Sequence, residues 1–507
     1  KPEEEEEEAA NFGYHDGKKY TLKTYKAMAD EFKATYFKGA EVGEEEVEDA
    51  YWNIVTSAEE DVKIEYGSEL HSTIHGSGFP TNGNALNPLD QATGSVYTRS
   101  AWNLNNLNAS SLLRFVREDI PGVISPWIYV GMCFSTFCWH YEDHFLYSVN
   151  YLWEGEPKLW YGVPGDEAGL FEEAMRDYAP ELFVQQPDLL FHLVTMISPK
   201  VLLEKGVHVC RAVQRAGELM LTFPRAYHGG LNTGYNVAES CNFAVTDWIP
   251  WGWLSDQTYR SFGKSHVFSH PSLLFSLADD DDSVQTAMWL LPEMMRYTEL
   301  ESKAIKDLRE MGCTDIRPMN LATQGVLSKP IVGDSNTSVV LTGKRVRKQR
   351  RDGQVVSGMD EIRRARDEDE FVDECCVCRT STFLSLVRCP SCPNIVACCE
   401  HASSMCSCPI GNKFVERRYT DDHVQRVIDH VSSRASRPAL WRVQAEALLA
   451  PGGGAHPMRS YTSLAAECDR FPRFLEWAFA LRDRLRAVTA NARAWGARAQ
   501  EVLAVTG

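Results

Sequence analysis

The amino-acid sequence predicts a mixed α+β protein: a β sandwich or barrel with surrounding helices, then a cysteine-rich finger and a helical C-terminal region. Three observations carry that reading. Residues 51–260 are dense in Trp, Tyr and Phe, run in short alternating stretches and are punctuated by Gly, Asn and Pro, the texture of antiparallel sheets folded on themselves. Apolar residues recur at three- and four-residue spacing in flanking stretches such as 20–36 and 253–312, the period of a helix with one buried face. Nine of the 15 cysteines fall between Cys375 and Cys408, and such clustering reads as metal ligation rather than a disulfide framework.

Length and charge set the limits. The 507 residues predict about three to four domains at roughly 100–200 residues each. A hydrophobic fraction of 44%, with 13 Trp, 19 Tyr and 22 Phe, supplies ample core and excludes global disorder. The net charge of -18 divides into -24 over residues 1–300 and +6 over the remainder. A nucleic-acid module filling the first 300 residues is thereby disfavoured, and a basic peptide partner is favoured there. No run of 18 apolar residues occurs, so no membrane span is predicted. The chain opens on Lys1 rather than methionine, and its start is read as cropped.

Along the chain, Glu3 to Glu8 form a self-repelling run expected to stay solvated. Tyr20, Leu22, Tyr25, Met28, Phe32 and Tyr36 then predict a helix, and 47–54 a second, short one. Strands are predicted at 126–134, 145–152, 158–163, 218–223 and 236–245. Residues 166–198 lack strand alternation and show helical spacing in Leu170, Phe171, Met175 and Tyr178, so helices outside the barrel are expected. Residues 253–312 read as helices, with the acidic run Asp279 to Asp282 at a turn or helix start. Beyond 421 an Ala-, Arg- and Leu-rich helical region is broken at Pro451-Gly452-Gly453-Gly454, and Trp477, Leu481, Leu485 and Val488 are read as its packing stripe.

The first constellation with chemistry in it is FCWHYEDH, holding His140 and Glu142. Residues i and i+2 of a strand share a face, so both side chains can reach one metal ion. A third ligand is offered by His228 in FPRAYHGG, where adjacent glycines permit close approach. Two histidines and one carboxylate suit non-haem Fe(II) with open positions for a co-substrate and oxygen. An isolated His-x-Glu pair is more often a hydrogen-bonded pair; here it has company. Ser148 and Asn150 share a face of the next strand, and Lys158 begins the strand after a turn, where its ammonium can meet the far carboxylate of a dicarboxylate. His144 has the same parity as Glu142 and is read as structural.

The two stretches PWIYVGMCFSTFCWHYEDHFLYSVNYLWEGEPKLWYGVP and FPRAYHGGLNTGYNVAESCNFAVTDW resemble the catalytic domain of the JmjC histone lysine demethylases, most closely the Jumonji/ARID branch that acts on lysine 4 of histone H3. The resemblance runs from about Phe12 to Val431, with gaps only in the linker. It implies a double-stranded β-helix of the jelly-roll, or cupin, type. It also implies an Fe(II)- and 2-oxoglutarate-dependent dioxygenase that, with O2, hydroxylates an N-methyl carbon and releases formaldehyde. By the same resemblance, His140, Glu142 and His228 match the iron ligands, and Lys158 the partner of the distal 2-oxoglutarate carboxylate. Tyr66, Ser148, Asn150 and Asn232 match polar groups around that co-substrate, Phe137 and Trp160 its aromatic walls, and Tyr129 and Asn242 the methyl-lysine channel. A nuclear location, a methylated histone H3 tail as substrate, chromatin-associated complexes and transcriptional repression follow as further expectations.

In the cysteine cluster, Cys375-x2-Cys378, Cys389-x2-Cys392, Cys398-x2-His401 and Cys406-x-Cys408 supply eight ligands, enough for two closed tetrahedral zinc sites. Cys376 and Cys399 each adjoin a proposed ligand, and the sequence leaves open that they substitute for Cys375 and Cys398. The ligand order resembles the C5HC2 zinc finger that follows the catalytic domain in the same branch. Alternating pairs are then expected to share a metal, so Cys375, Cys378, Cys398 and His401 would bind one zinc and the others the second. The basic run KRVRKQRR, Lys344 to Arg351, reads as a nuclear-import signal, a phosphate contact or a solvated linker segment.

The expected organisation is an acidic disordered segment at 1–11, a helical and mixed region packing on the barrel at 12–93, the JmjC catalytic domain at 94–260 and a helical region at 261–321. A disordered linker at 322–370, the zinc finger at 371–418 and a helical region at 419–507 follow. No Jumonji N, ARID or PHD module is visible, and residues 1–132 contain no cysteine. Two rival readings remain at this stage: a JmjC hydroxylase of a non-histone protein, and a non-catalytic chromatin scaffold.

Overall fold

Capping and side-chain alternation place most of the elements. The structure is a computed structural model that describes residues 17–57, 62–81, 96–116, 120–192, 195–319, 374–450 and 456–506. The acidic segment 1–11, the linker 322–370 with its basic run and the break at 451–454 lie outside the described residues. The chain divides into two compact units, Lys1–Thr258 and Tyr259–Gly507.

In the first unit the helix Leu22–Tyr36 begins where Thr21 and Thr24 cap each other reciprocally. Tyr20, assigned to the helix from its spacing, instead stands before it and donates its hydroxyl to Glu65. The second helix, Glu44–Thr56, carries Glu44, Glu45 and Glu46 in its first turn, where the helix dipole favours them. Two acids of that helix tie it to the barrel. Glu48 accepts from the Tyr161 hydroxyl at 2.6 Å and from the Arg211 guanidinium, and Glu44 pairs with Arg215 at 2.5 Å.

Two antiparallel sheets make the jelly-roll. Strands β1 (Gly67–His71), β2 (Trp127–Gly131), β4 (Tyr147–Gly155), β7 (Leu219–Thr222) and β9 (Asn236–Phe243) form one in the order β1-β2-β9-β4-β7. Strands β3 (Thr136–His140), β5 (Lys158–Gly162), β6 (Cys210–Gln214) and β8 (His228–Asn232) form the other in the order β3-β8-β5-β6. Behind the four-stranded sheet lies a core of Trp139, Leu159, Tyr161, Tyr227 and Leu231. The helix Ala168–Tyr178 closes it with Ala168, Phe171, Ala174 and Met175. Each such large side chain contributes about 1.5–3 kcal/mol on burial. The expected helical insertion is present, but Leu170 and Tyr178 face solvent; the buried stripe runs through Phe171 and Met175 because Phe171 stacks on Tyr227 at 4.2 Å.

The second unit holds the helices His270–Asp280 and Val284–Glu310, a four-stranded sheet and a C-terminal bundle. The acidic run Asp279 to Asp282 closes the first of these helices and turns into the next. Asp281 accepts from the Ser283 amide and the Thr286 hydroxyl, and Arg434 donates to the carbonyls of Ala278 and Asp281. The sheet contains β10 (Asp315–Pro318), β11 (Ser385–Cys389), β12 (Cys392–Ala397) and β13 (Phe414–Arg417), with β10 parallel to β13. In the bundle, Ala478, Leu481 and Leu485 of the helix Glu476–Thr506 meet Trp441, Ala445 and Phe471. The predicted stripe is displaced by one position at its ends: Val488 is exposed and Trp477 only partly buried, while Ala478 and Thr489 are covered.

Candidate metal centres

Strand register assembles the first site. His140, the last residue of β3, lies opposite His228, the first of β8. Glu142 falls just past the end of β3, and its backbone stays extended (φ -69°, ψ 151°), so the expected same-face relation to His140 survives without the ladder. The chain then turns through two left-handed residues, His144 and Phe145. His144 is thereby carried into the core, fully buried, with its carbonyl accepting from Trp248, in line with a structural role.

Both imidazoles are oriented in the same way. The Nδ1–H of His140 donates to the Cys138 carbonyl at 2.7 Å, and that of His228 to the Ala226 carbonyl at 2.9 Å, which leaves each Nε2 to face the centre. His228 Nε2 lies 3.3 Å from Glu142 Oε1, and Asn242 donates to Glu142 Oε2 at 3.0 Å. One ligand atom from each of His140, Glu142 and His228 lies within 4.8 Å of the other two. Burial, with the neighbouring His228, lowers the His140 pKa to about 4, so its ring is neutral at physiological pH. Burial by itself raises the Glu142 pKa, but the hydrogen bond and charge of His228, the charge of His140 and the Asn242 bond bring it down to about 2. Two imidazoles that each turn Nε2 inward, with one carboxylate, are the donor set that Fe(II) takes in facial coordination.

One sheet face then runs from this cluster to a buried lysine. His228, Gly230 and Asn232 alternate along β8, opposite Gly162, Trp160 and Lys158 of β5. A Cβ on Gly230 would come within 1.9 Å of the Leu159 carbonyl and 2.6 Å of the Phe137 ring. Only glycine lets Phe137 and Trp160 meet edge to face at 4.7 Å across it. Lys158 is 2% exposed. Its Nζ donates to Asn232 Oδ1 at 2.6 Å and lies 5.2 Å from the Phe137 ring and 6.0 Å from that of Tyr66. Among the described residues it pairs with no carboxylate, and burial brings its pKa down to about 7. A buried ammonium with donors to spare fits a carboxylate-bearing ligand.

The remaining expected pocket residues sit around these. Asn232 is committed, since it also accepts from Asn236 and donates to Ser135, so its contact runs through Lys158. Ser148 shares a hydrogen bond with Thr222 at 2.5 Å, and the carbonyl and side chain of Asn150 both accept from Gln214. Tyr129 lies 6.2 Å from Tyr66, ring to ring. Asn242 is spent on Glu142 and on the Tyr147 carbonyl. Gln214, which sequence reading did not single out, links the two sheets. It lies opposite Lys158 in β6 and also accepts from Trp160 Nε1 at 2.9 Å. Its role depends on register alone, and no local motif marks it.

In the second unit Cys375, Cys378, Cys398 and His401 come together, as do Cys389, Cys392, Cys406 and Cys408, each set with its ligand atoms within 4.8 Å of one another. The two leftover thiols are placed apart from them. Cys376 is exposed, and Cys399 is buried against Ser385 and Glu301. Four thiolates, or three and an imidazole, make closed tetrahedral donor sets that suit structural zinc.

The jelly-roll with its two-histidine, one-carboxylate cluster, and the cysteine sets of the second unit, define the class. Residues 127–243 match the family described as "JmjC domain, hydroxylase", and residues 375–427 match the C5HC2 zinc finger. The chain thus carries a JmjC domain followed by a C5HC2 zinc finger, and its relatives are JmjC lysine demethylases, consistent with the Jumonji/ARID branch. Among its relatives, JMJ16 of Arabidopsis thaliana is 37% identical over 456 residues, covering 86% of this chain and 36% of that protein. Lysine-specific demethylase JMJ703 of Oryza sativa subsp. japonica is 37% identical over 441 residues (85% and 33%), and lysine-specific demethylase 5B of Gallus gallus 35% over 502 residues (97% and 30%). The chain spans about a third of the length of these curated relatives. Family membership implies Fe(II) and 2-oxoglutarate, and the finger with its cysteine sets implies zinc.

Proposed function

We propose that this chain is an Fe(II)- and 2-oxoglutarate-dependent histone lysine demethylase that removes methyl groups from tri- and dimethylated lysine 4 of histone H3. It would act in the nucleus, in chromatin regulation and transcriptional repression. The observation that carries the reading is Lys158, a buried ammonium without a carboxylate partner, on the same sheet face as the His140, Glu142 and His228 cluster. His140, Glu142 and His228 would hold iron. Bound there with 2-oxoglutarate and O2, it supplies the oxidising power for hydroxylation of an N-methyl carbon, whose product releases formaldehyde.

The protein's part is to bind and orient. Lys158 anchors the distal carboxylate of 2-oxoglutarate, with Tyr66, Ser148 and Asn150 as polar neighbours and Phe137 and Trp160 as walls. Asn232 aims Lys158, and Asn242 holds Glu142 in place. Tyr129 lines the approach of the methylated side chain. Two zinc ions in the finger are structural. The names of the relatives, lysine-specific demethylases, support the reaction class, and the basic histone tail matches the acidity of the first 300 residues.

The test is to incubate the chain with iron, ascorbate, 2-oxoglutarate and a panel of methylated histone peptides. Mass spectrometry should show stepwise methyl loss and formaldehyde from the lysine-4 peptide. A stable hydroxylated product without formaldehyde, or no turnover of any peptide, would overturn the assignment.

A further inference from the structure

A second buried lysine stands in the finger, outside every proposed ligand set. Lys413 is 1% exposed, and its Nζ donates to the Ala402 carbonyl at 2.7 Å and the Cys406 carbonyl at 3.2 Å. Among the described residues no carboxylate pairs with it. Two carbonyl dipoles solvate an ammonium only in part, and a buried charge needs a compensating one. One of these carbonyls belongs to Cys406, a member of the set Cys389, Cys392, Cys406 and Cys408. Four thiolates around a divalent zinc leave two negative charges in excess. The other cysteine set has a cation too, since Arg260 Nη2 lies 3.6 Å from Cys398 Sγ, but that guanidinium is already paired with Glu400 at 2.5 Å. Lys413 has no such pairing.

We infer that Lys413 is the counter-cation of the four-cysteine zinc site, a positioning residue that helps to keep its zinc bound. The inference rests on the zinc reading of those cysteines. It states that zinc in this set and the buried ammonium stabilise one another: without zinc the lysine loses its counter-charge, and without the lysine the site carries its full excess charge. The set made of Cys375, Cys378, Cys398 and His401 has one thiolate fewer, so its excess charge and its dependence on Lys413 are smaller.

The test uses the full chain loaded with zinc alone. Zinc content by mass spectrometry, zinc transfer to a chromogenic chelator and alkylation mapping of the freed cysteines are compared for wild type, Lys413→Met and Lys413→Arg. The methionine variant should release one zinc about 10- to 100-fold faster, the range for losing a group just outside a metal's ligands. Labelling should appear at Cys389, Cys392, Cys406 and Cys408 first. The arginine variant, which keeps the charge, should stay near wild type.

Two outcomes would overturn the inference: release of both ions at the wild-type rate from Lys413→Met, or equal acceleration in both variants, which would reduce Lys413 to packing. Wild type that takes up no zinc would instead remove the underlying zinc reading. If the methionine variant fails to fold, amine labelling of wild type decides. Lys413 should be unreactive with zinc bound and become reactive when a chelator empties the four-cysteine site; continued protection after zinc loss would contradict the proposal.

Discussion

Among the described residues two lysines are buried, one in each compact unit, and they are balanced in opposite ways. Lys158 faces a neutral amide and two aromatic rings. Lys413 faces the backbone carbonyls of Ala402 and of Cys406, one of the four-cysteine set. On the proposed function the missing negative charge of the barrel arrives with a ligand; on the inference drawn for the finger it belongs to the protein. A catalytic pocket needs the first arrangement, because an ammonium already paired would not select a dicarboxylate. A structural site needs the second, because its charge must be settled at folding.

The sharpest way to break this contrast is through the metals. Cys389→Ser should cost the finger a large part of its stability, since structural zinc contributes about 10–16 kcal/mol in small zinc domains. Zinc counting and thermal melting would show it, and retention of two zinc ions would contradict the ligand assignment. Glu142→Ala should lower formaldehyde release by on the order of a thousandfold, equivalent to about 4 kcal/mol of barrier, with zinc content unchanged. Lys158→Met should raise the KM for 2-oxoglutarate by up to about a hundredfold, the scale of a lost hydrogen bond to a charged group at about 1.5–3 kcal/mol. Steady-state kinetics would separate this from kcat. The same variant should melt at or above the wild-type temperature when no co-substrate is present, because an uncompensated buried charge is gone.

A pH effect sharpens the reading of Lys158. Burial brings the Lys158 pKa down to about 7, whereas the unfolded chain keeps that proton up to about 10.4. Between those values the folded state holds fewer protons, so this group makes stability rise with pH. Binding a carboxylate requires the ammonium, so 2-oxoglutarate affinity should fall as pH rises above about 7, with proton uptake on binding. Calorimetry in two buffers of different ionisation enthalpy would show the uptake, and its absence would mean the lysine is already charged. The smallest expected effect is that of Gln214→Leu. It removes the link between Trp160 and Asn150, should raise the same KM only a few-fold at about 1 kcal/mol per hydrogen bond, and should leave zinc release untouched.

Much of the barrel was legible because its strands alternate and its motifs are local. Predicted strands at 126–134, 145–152 and 158–163 lie over β2, β4 and β5. Strand β1, with a bulge between Gly67 and Leu70, and β6, with its outward Cys210 and Arg211, lack clean alternation and were not predicted. The helix stripes at Leu170 and Val488 were misplaced by a residue or so because a helix face is about 100° wide, and which edge of it is covered depends on the neighbour. Asn232 and Asn242 could be named as pocket residues by resemblance. That one is spent on Lys158 and the other on Glu142 is visible only in space.

What the sequence by itself determined is the chemistry on offer: which side chains can ligate a metal, how cysteine pairs are spaced, where strands alternate and where charge concentrates. These are properties of neighbours within a few residues, and period and spacing encode them. The tertiary structure alone decided which charges are left without a partner. Lys158 and Lys413 are lysines like any others in the sequence; only the fold separates them, through the register that sets Lys158 on Asn232, 74 positions away, and the loop that closes the Ala402 and Cys406 carbonyls over Lys413, and it is on these settings that the proposed anion receptor and the inferred counter-ion rest.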